Sequence, residues 1–109
     1  MINYVIQNQL EDAIKKHKVV TFRYNNEFFD RTFEPYVIYH SPADSNRILV
    51  GGVQTKNDSK PFDPPTFHKF DIEFVSLLII TKNVFKYNVG FSTLDKEYRN
   101  GIIARIQPI

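Results

Sequence analysis

The residues through which this chain could do chemistry are basic and aromatic: Arg23, Arg31, Arg47, His68 and Lys69, interleaved with Tyr24, Tyr36 and Tyr39. Guanidinium forks and an ammonium group bind phosphate oxygens, and tyrosine rings offer flat surfaces on which bases stack. Brought to one face, these side chains form a site for a nucleotide-like ligand or a single-stranded nucleic acid. Alternation gives a second account of the same residues. Each basic side chain then lies on the solvent side of a strand whose other side carries Phe22, Phe33 or Leu49.

Other chemistries have weaker footing. His17, His40 and His68 have no acidic or histidine neighbour at metal-ligand spacing, so no metal site is expected. The absence of cysteine excludes disulfides, thiolate zinc sites and cysteine nucleophiles. Ser76, Thr81 and Ser92 lack the setting of a nucleophile elbow, and Gly51-Gly52 lacks the third glycine, lysine and following helix of a phosphate loop. Asp63, Asp71 and Glu73 read as solvated loop and strand charge rather than a catalytic pair. The sequence therefore predicts a protein that is not an enzyme and that carries no cofactor. Phe28-Phe29, Phe62 and Phe67 stand apart. With ten Phe and six Tyr in 109 residues, aromatics either fill one core completely or leave a surplus on the surface as a protein interface.

The elements that must position these residues follow from periodicity. Ile2, Val5, Ile6, Leu10, Ala13 and Ile14 form one stripe of helical spacing, so a helix is predicted over 2–17, with Glu11 and Lys15, and Asp12 and Lys16, as acid-first pairs one turn apart. From Val19 to Tyr24 the period changes to two, with Val20, Phe22 and Tyr24 on one face, and Asn25-Asn26 reads as a turn. A returning strand is placed over Phe28 to Phe33, with Pro35 interrupting the ladder and Tyr36 to His40 extended again. Residues 41–46 form a hairpin loop, Arg47 to Gln54 the next strand, and Gly51-Gly52 a bulge or sharp bend that lets a small sheet curl. Thr55 to Thr66, rich in proline, is the long irregular connection. Phe67 to Ile80 holds one or two strands, Thr81-Lys82-Asn83 a turn and Val84 to Phe91 a short strand. Thr93 to Arg99 gives two helical turns closed by Asn100-Gly101, and Ile102 to Ile106 a last strand.

Length and charge bound the whole. A chain of 109 residues with 42% hydrophobic content makes one domain over 1–109, and 14 Lys and Arg against 12 Asp and Glu name no partner by charge alone. The longest apolar run, Leu77 to Ile80, is too short to span a membrane, and the N-terminus lacks the pattern of a signal peptide, so a cytoplasmic protein without a membrane partner is expected.

Taken in order, the helix ending in Ala13-Ile14, the strand Val19-Val20-Thr21-Phe22-Arg23-Tyr24, then Arg31-Thr32-Phe33-Glu34-Pro35-Tyr36, Ile48-Leu49-Val50-Gly51 and His68-Lys69-Phe70-Asp71-Ile72 resemble the WYL domain from about Leu10 to Phe85. The resemblance implies a mainly β fold, an N-terminal helix followed by a small antiparallel β-barrel of SH3 or Sm type over about 18–90, with a C-terminal short helix and strand over 91–109. It also implies a non-catalytic ligand-sensing module, often for a nucleic acid, of the kind found behind a winged helix-turn-helix in bacterial transcription regulators. Here the chain departs from the family, with no room for a DNA-reading domain ahead of its helix. Arg47 and Ile48 stand where the namesake aromatic and tyrosine would be, with only Leu49 kept. His68 and Phe74 replace two arginines, leaving Arg31 as the basic residue retained. Two functions are therefore carried forward: binding of a nucleic acid or nucleotide-like ligand, and a protein-interaction or homo-oligomerisation module docking onto a larger bacterial regulator.

Overall fold

Asn3 opens helix α1 (Tyr4–Lys16) by accepting the Ile6 N–H on its side-chain oxygen at 3.2 Å, satisfying one of the amides a helix start leaves over. His17 closes it in the left-handed conformation (φ 55°), its N–H donating to the carbonyls of Ala13 and Ile14. The computed structural model describes residues 3–86, 88 and 90–107. The predicted apolar stripe holds at Ile6, Leu10, Ala13 and Ile14, all buried, whereas Val5 is exposed. Val5 lies roughly 100° from Ile6 on the side away from Leu10 and Ile14, which puts it off the packed face. Ile2 lies outside the described residues. Asp12 and Lys16 pair at 3.2 Å.

After α1 come strands β1 (Lys18–Tyr24), β2 (Arg31–His40), β3 (Ile48–Asn57), β4 (Thr66–Asp71), β5 (Val75–Val84) and β6 (Ile102–Arg105), with 3₁₀ turns at Ile72–Phe74 and Lys96–Tyr98. They form one antiparallel sheet in the order β4-β3-β2-β1-β5. β2 serves two neighbours along one edge: residues 31–33 pair with β1, and Val37, Ile38 and Tyr39 pair with β6. The sheet is open between β4 and β5, where no pairing joins the two among the described residues. Helix α1 packs on β1, β2, β5 and β6.

The bend expected at Gly51-Gly52 is present, and it is shared with β2. Pro35 pairs with Gly52 and Val37 with Gly51, so Tyr36 is an extra residue bulged out of register. A Cβ on Gly52 would stand 2.1 Å from the Glu34 carbonyl oxygen, so only glycine allows this approach. The bulge shifts the alternation of β2. Phe33, Tyr36 and Ile38 join the main core against α1, while Val37 and Tyr39, also buried, lie outside that cluster. At the core's centre, Phe22, Phe33 and Phe70 meet edge to face at 5.1–5.7 Å between centroids.

Several boundaries differ from expectation. β2 begins at Arg31 rather than Phe28 and runs through Pro35, because the bulge absorbs the missing donor. β3 extends to Asn57, so the proline-rich loop is shorter than 55–66, and β5 continues through 81–83 in place of a turn by pairing Val84 with Lys18. No strand forms over 84–91 among the described residues beyond the end of β5, and positions 87 and 89 lie outside them. In place of two helical turns over 93–99 there is the single 3₁₀ turn capped by Asp95. The questioned phenylalanines are surplus to the core: Phe28, Phe29, Phe62 and Phe67 are all exposed, Phe62 at 97%. No helix among the described residues is long and apolar enough to cross a membrane.

Candidate functional site

The residues picked out from the sequence fall into three places. Arg23, on the solvent side of β1, pairs with Asp30 at 3.2 Å in the adjoining hairpin. At the end of the sheet where β1, β2, β3 and β4 approach one another, Arg31 donates from Nε and Nη2 to Glu27 Oε1 (3.2 and 2.8 Å) and from Nη1 to Gln54 Oε1 (2.7 Å). Its guanidinium lies 5.3 Å from the Phe70 ring centroid and 6.0 Å from that of Tyr24, and its side chain is only 15% exposed. Tyr24 joins the same cluster by accepting the Asp71 N–H at 3.1 Å. The Asp71 carboxylate caps the first 3₁₀ turn through the Glu73 N–H and holds Arg47 through Nε and Nη2 at 2.7 and 2.6 Å. That carboxylate pushes the Arg47 guanidinium up and keeps it charged. Each of the three arginines therefore already has an acidic partner.

Tyr36, His68 and Lys69 are brought together elsewhere, in a groove of about 600 Å³. Its floor comes from β2, β3 and β4 through Tyr36, Tyr39, Val53 and Phe67. Its other wall is the segment 90–101, which crosses back over that face. The bulge at Tyr36 is what makes this possible, because it leaves Val37 and Tyr39 facing away from the main core, and the crossing segment then buries Tyr39. Several contacts hold the segment down. Tyr39 Oη donates to Glu97 Oε2 at 2.6 Å and Lys69 Nζ donates to the same oxygen at 2.9 Å. Arg105 Nη1 donates to Thr93 Oγ1 at 2.9 Å, and Asn100 Nδ2 to the Ser41 carbonyl at 2.8 Å. Gly101, at φ 113°, accepts the His40 N–H through its carbonyl and ends the crossing, rather than closing two helical turns.

The lining is aromatic with a few polar groups. Phe91 stacks on Phe67 at 6.0 Å and meets Tyr36 edge to face at 5.1 Å, and Tyr98 meets Tyr39 in the same way at 4.8 Å. His68 lies beside Lys69 on β4 and its Nε2 is 2.8 Å from Thr66 Oγ1. Burial pushes the Tyr39 and Tyr98 hydroxyls up, and for Tyr39 the bond to Glu97 adds to the effect, so both remain neutral hydroxyls. Burial alone would push the Glu97 carboxyl up as well. The hydrogen bonds from Tyr39 and Lys69 outweigh it and hold the group below the ordinary carboxylate range.

Phe91, Asp95, Glu97 and Tyr98 were not singled out by sequence reasoning. The segment has neither strand nor long helical period, and its place depends on the bulge in β2, more than fifty residues earlier. No three or more His, Asp or Glu side chains are gathered as metal donors among the described residues. No protein-family model matches the chain, and no curated protein or solved structure matches it either.

Proposed function

We propose that this chain is a non-catalytic ligand-binding module, a WYL-like small barrel of SH3 or Sm type with an added helix. Its ligand is a nucleotide or single-stranded nucleic acid seated in the groove under the 90–101 segment. The observation that carries the reading is the lining of that groove, where Tyr36, Phe67, Phe91 and Tyr98 stand beside Lys69 and His68. Ligand sites are concave, mostly apolar and furnished with few polar groups, and the volume lies within their usual range of about 300–1,000 Å³. Rings beside a cation suit stacked bases and a phosphate, and Phe67, 49% exposed, is the ring of the four that is open to solvent. The barrel reading is supported by the strand order β4-β3-β2-β1-β5 and by the 3₁₀ turn Ile72–Phe74, which carries the chain directly from one end of the sheet to the other.

The test is fluorescence anisotropy of labelled single-stranded DNA and RNA at about 50 and about 200 mM salt. A contact through Lys69 alone predicts an affinity loss of roughly threefold over that range, whereas four contacts, with the three arginines added, would lose roughly fiftyfold. Phe91→Ala and Lys69→Ala are expected to weaken binding. No binding at the lower salt would reject the proposal.

A second reading rests on a different observation. β5 ends the sheet, and Leu77, Ile79 and Val84 along it are 66%, 62% and 66% exposed, with Lys82 the one charged side chain in the strand. An apolar edge strand with so little charge favours pairing with another chain. It predicts a mass that rises with concentration in sedimentation and returns to that of one chain in Ile79→Lys.

A further inference from the structure

Two donors of the groove converge on one point. Tyr39 Oη and Lys69 Nζ both donate to Glu97 Oε2, at 2.6 and 2.9 Å. Tyr39, 1% exposed, is fixed from behind by the packing of β2, Lys69 reaches over from β4, and Glu97 comes from the crossing segment. A hydroxyl that burial keeps neutral and an ammonium aimed at the same place form a receptor for one anionic oxygen. Here the chain's own carboxylate fills it. The acids that pair Arg23, Arg31 and Arg47 lie outside the groove, so among the ion pairs of these side chains only that of Lys69 and Glu97 stands where the proposed ligand would sit.

With Glu97 in place, the groove sets the carboxylates of Asp95 and Glu97 against the ammonium of Lys69, and a further anion entering beside them is repelled. A phosphate gains Lys69 only by taking the place of Glu97. We propose that Tyr39 and Lys69 form the phosphate subsite of the groove and that Glu97 is an internal competitor seated in it, displaced into solvent when a phosphate monoester binds. This rests on the ligand-binding reading above and deepens it by assigning the phosphate to two donors and the block to one acid. The exchange leaves no donor unpaired, because a phosphate oxygen replaces the carboxylate oxygen at both. Glu97, its side chain already 27% exposed, moves into water at little cost. Thr93 and Asn100 keep their own bonds to Arg105 and Ser41, so the 90–101 segment stays tied while that side chain turns out.

The experiment is a calorimetric titration of the intact chain with cytidine 5′-monophosphate and with cytidine, which lacks the phosphate, repeated on Glu97→Gln, Asp95→Asn and the double variant Glu97→Gln with Tyr39→Phe. Gln keeps the shape of Glu97 and gives up the charge that holds Lys69. Asp95→Asn removes the same charge from the same turn without touching Lys69, and keeps an oxygen for the Glu97 N–H. The expected result is that Glu97→Gln binds the nucleotide roughly tenfold more tightly than the unsubstituted chain, as release of one charge-assisted hydrogen bond implies, with cytidine affinity unchanged. The gain is smaller in Asp95→Asn and absent from the double variant. Nucleotide affinity that stays level or falls in Glu97→Gln would overturn the competition and leave the ligand-binding reading standing. An equal gain in Asp95→Asn, or a parallel gain for cytidine, would overturn it in favour of overall charge or a looser groove, and a gain kept in the double variant would remove Tyr39 from the subsite. Failure of the nucleotide to bind any of these chains would overturn the subsite together with the nucleotide reading beneath it.

Discussion

Glu97 receives the Tyr39 hydroxyl and the Lys69 ammonium on one oxygen, and in doing so fastens the 90–101 segment to the sheet. Because its folded carboxyl titrates below the ordinary value of 4.5, this contribution is complete above that value and is lost as pH falls through the lower, folded one. Acid titration followed by the ring resonances of Tyr39 and Tyr98 is expected to show the segment loosening below about pH 4.5, a transition absent from Glu97→Ala. Arg31 presents the opposite case. Its three hydrogen bonds go to Glu27 and Gln54 and its guanidinium covers Phe70, away from the groove. Arg31→Ala is expected to lower stability by about 1–3 kcal/mol in chemical denaturation, since it strips partners from Gln54 and Glu27, and to leave nucleotide affinity unchanged. A loss of affinity with stability intact would instead make Arg31 a ligand contact.

Among the elements, the β2–β3 ladder decides whether the groove exists. Gly52 admits the Glu34 carbonyl at a distance no Cβ tolerates, and the Tyr36 bulge opposite it sends Tyr36 inward and Tyr39 outward. Gly52→Ala is expected to cost roughly 3 kcal/mol or more in denaturant unfolding. Gly51→Ala meets only the Phe67 ring and the Val37 side chain at 3.2 Å, and should cost less. This ladder also marks how far the sequence could be read. Ile6, Leu10 and Ile14 on α1, and Val20 and Phe22 on β1, were legible because each element's own period names its buried face. The bend at Gly51-Gly52 was legible because paired glycines inside a strand have few other uses. The groove was only half legible. Tyr36, His68 and Lys69 were named as ligand residues for their chemistry, but Phe91, Glu97 and Tyr98 take their places from tertiary contacts with strands more than fifty residues earlier, Tyr39 to Glu97 among them. Arg23, Arg31 and Arg47 were grouped by charge type, and charge type carries no information about the acidic partner each one finds in the fold.

Over the whole molecule, the two readings of function occupy different surfaces, the groove over β2–β4 and the edge strand β5. Each can be removed without the other. Ile79→Lys is expected to abolish any concentration-dependent mass and to leave nucleotide binding as it was, because Ile79 lies on β5 and takes no part in the groove. Phe91→Ala should do the reverse. The nucleotide-binding proposal places the ligand in the groove under the 90–101 segment. Backbone amide NMR of the labelled protein, titrated with cytidine 5′-monophosphate, tests it most directly. Shifts concentrated at Phe67, Lys69, Gly90, Phe91, Glu97 and Tyr98 are the predicted result. Shifts centred instead on Arg23, Arg31 and Arg47, or along Val75–Val84, would contradict it.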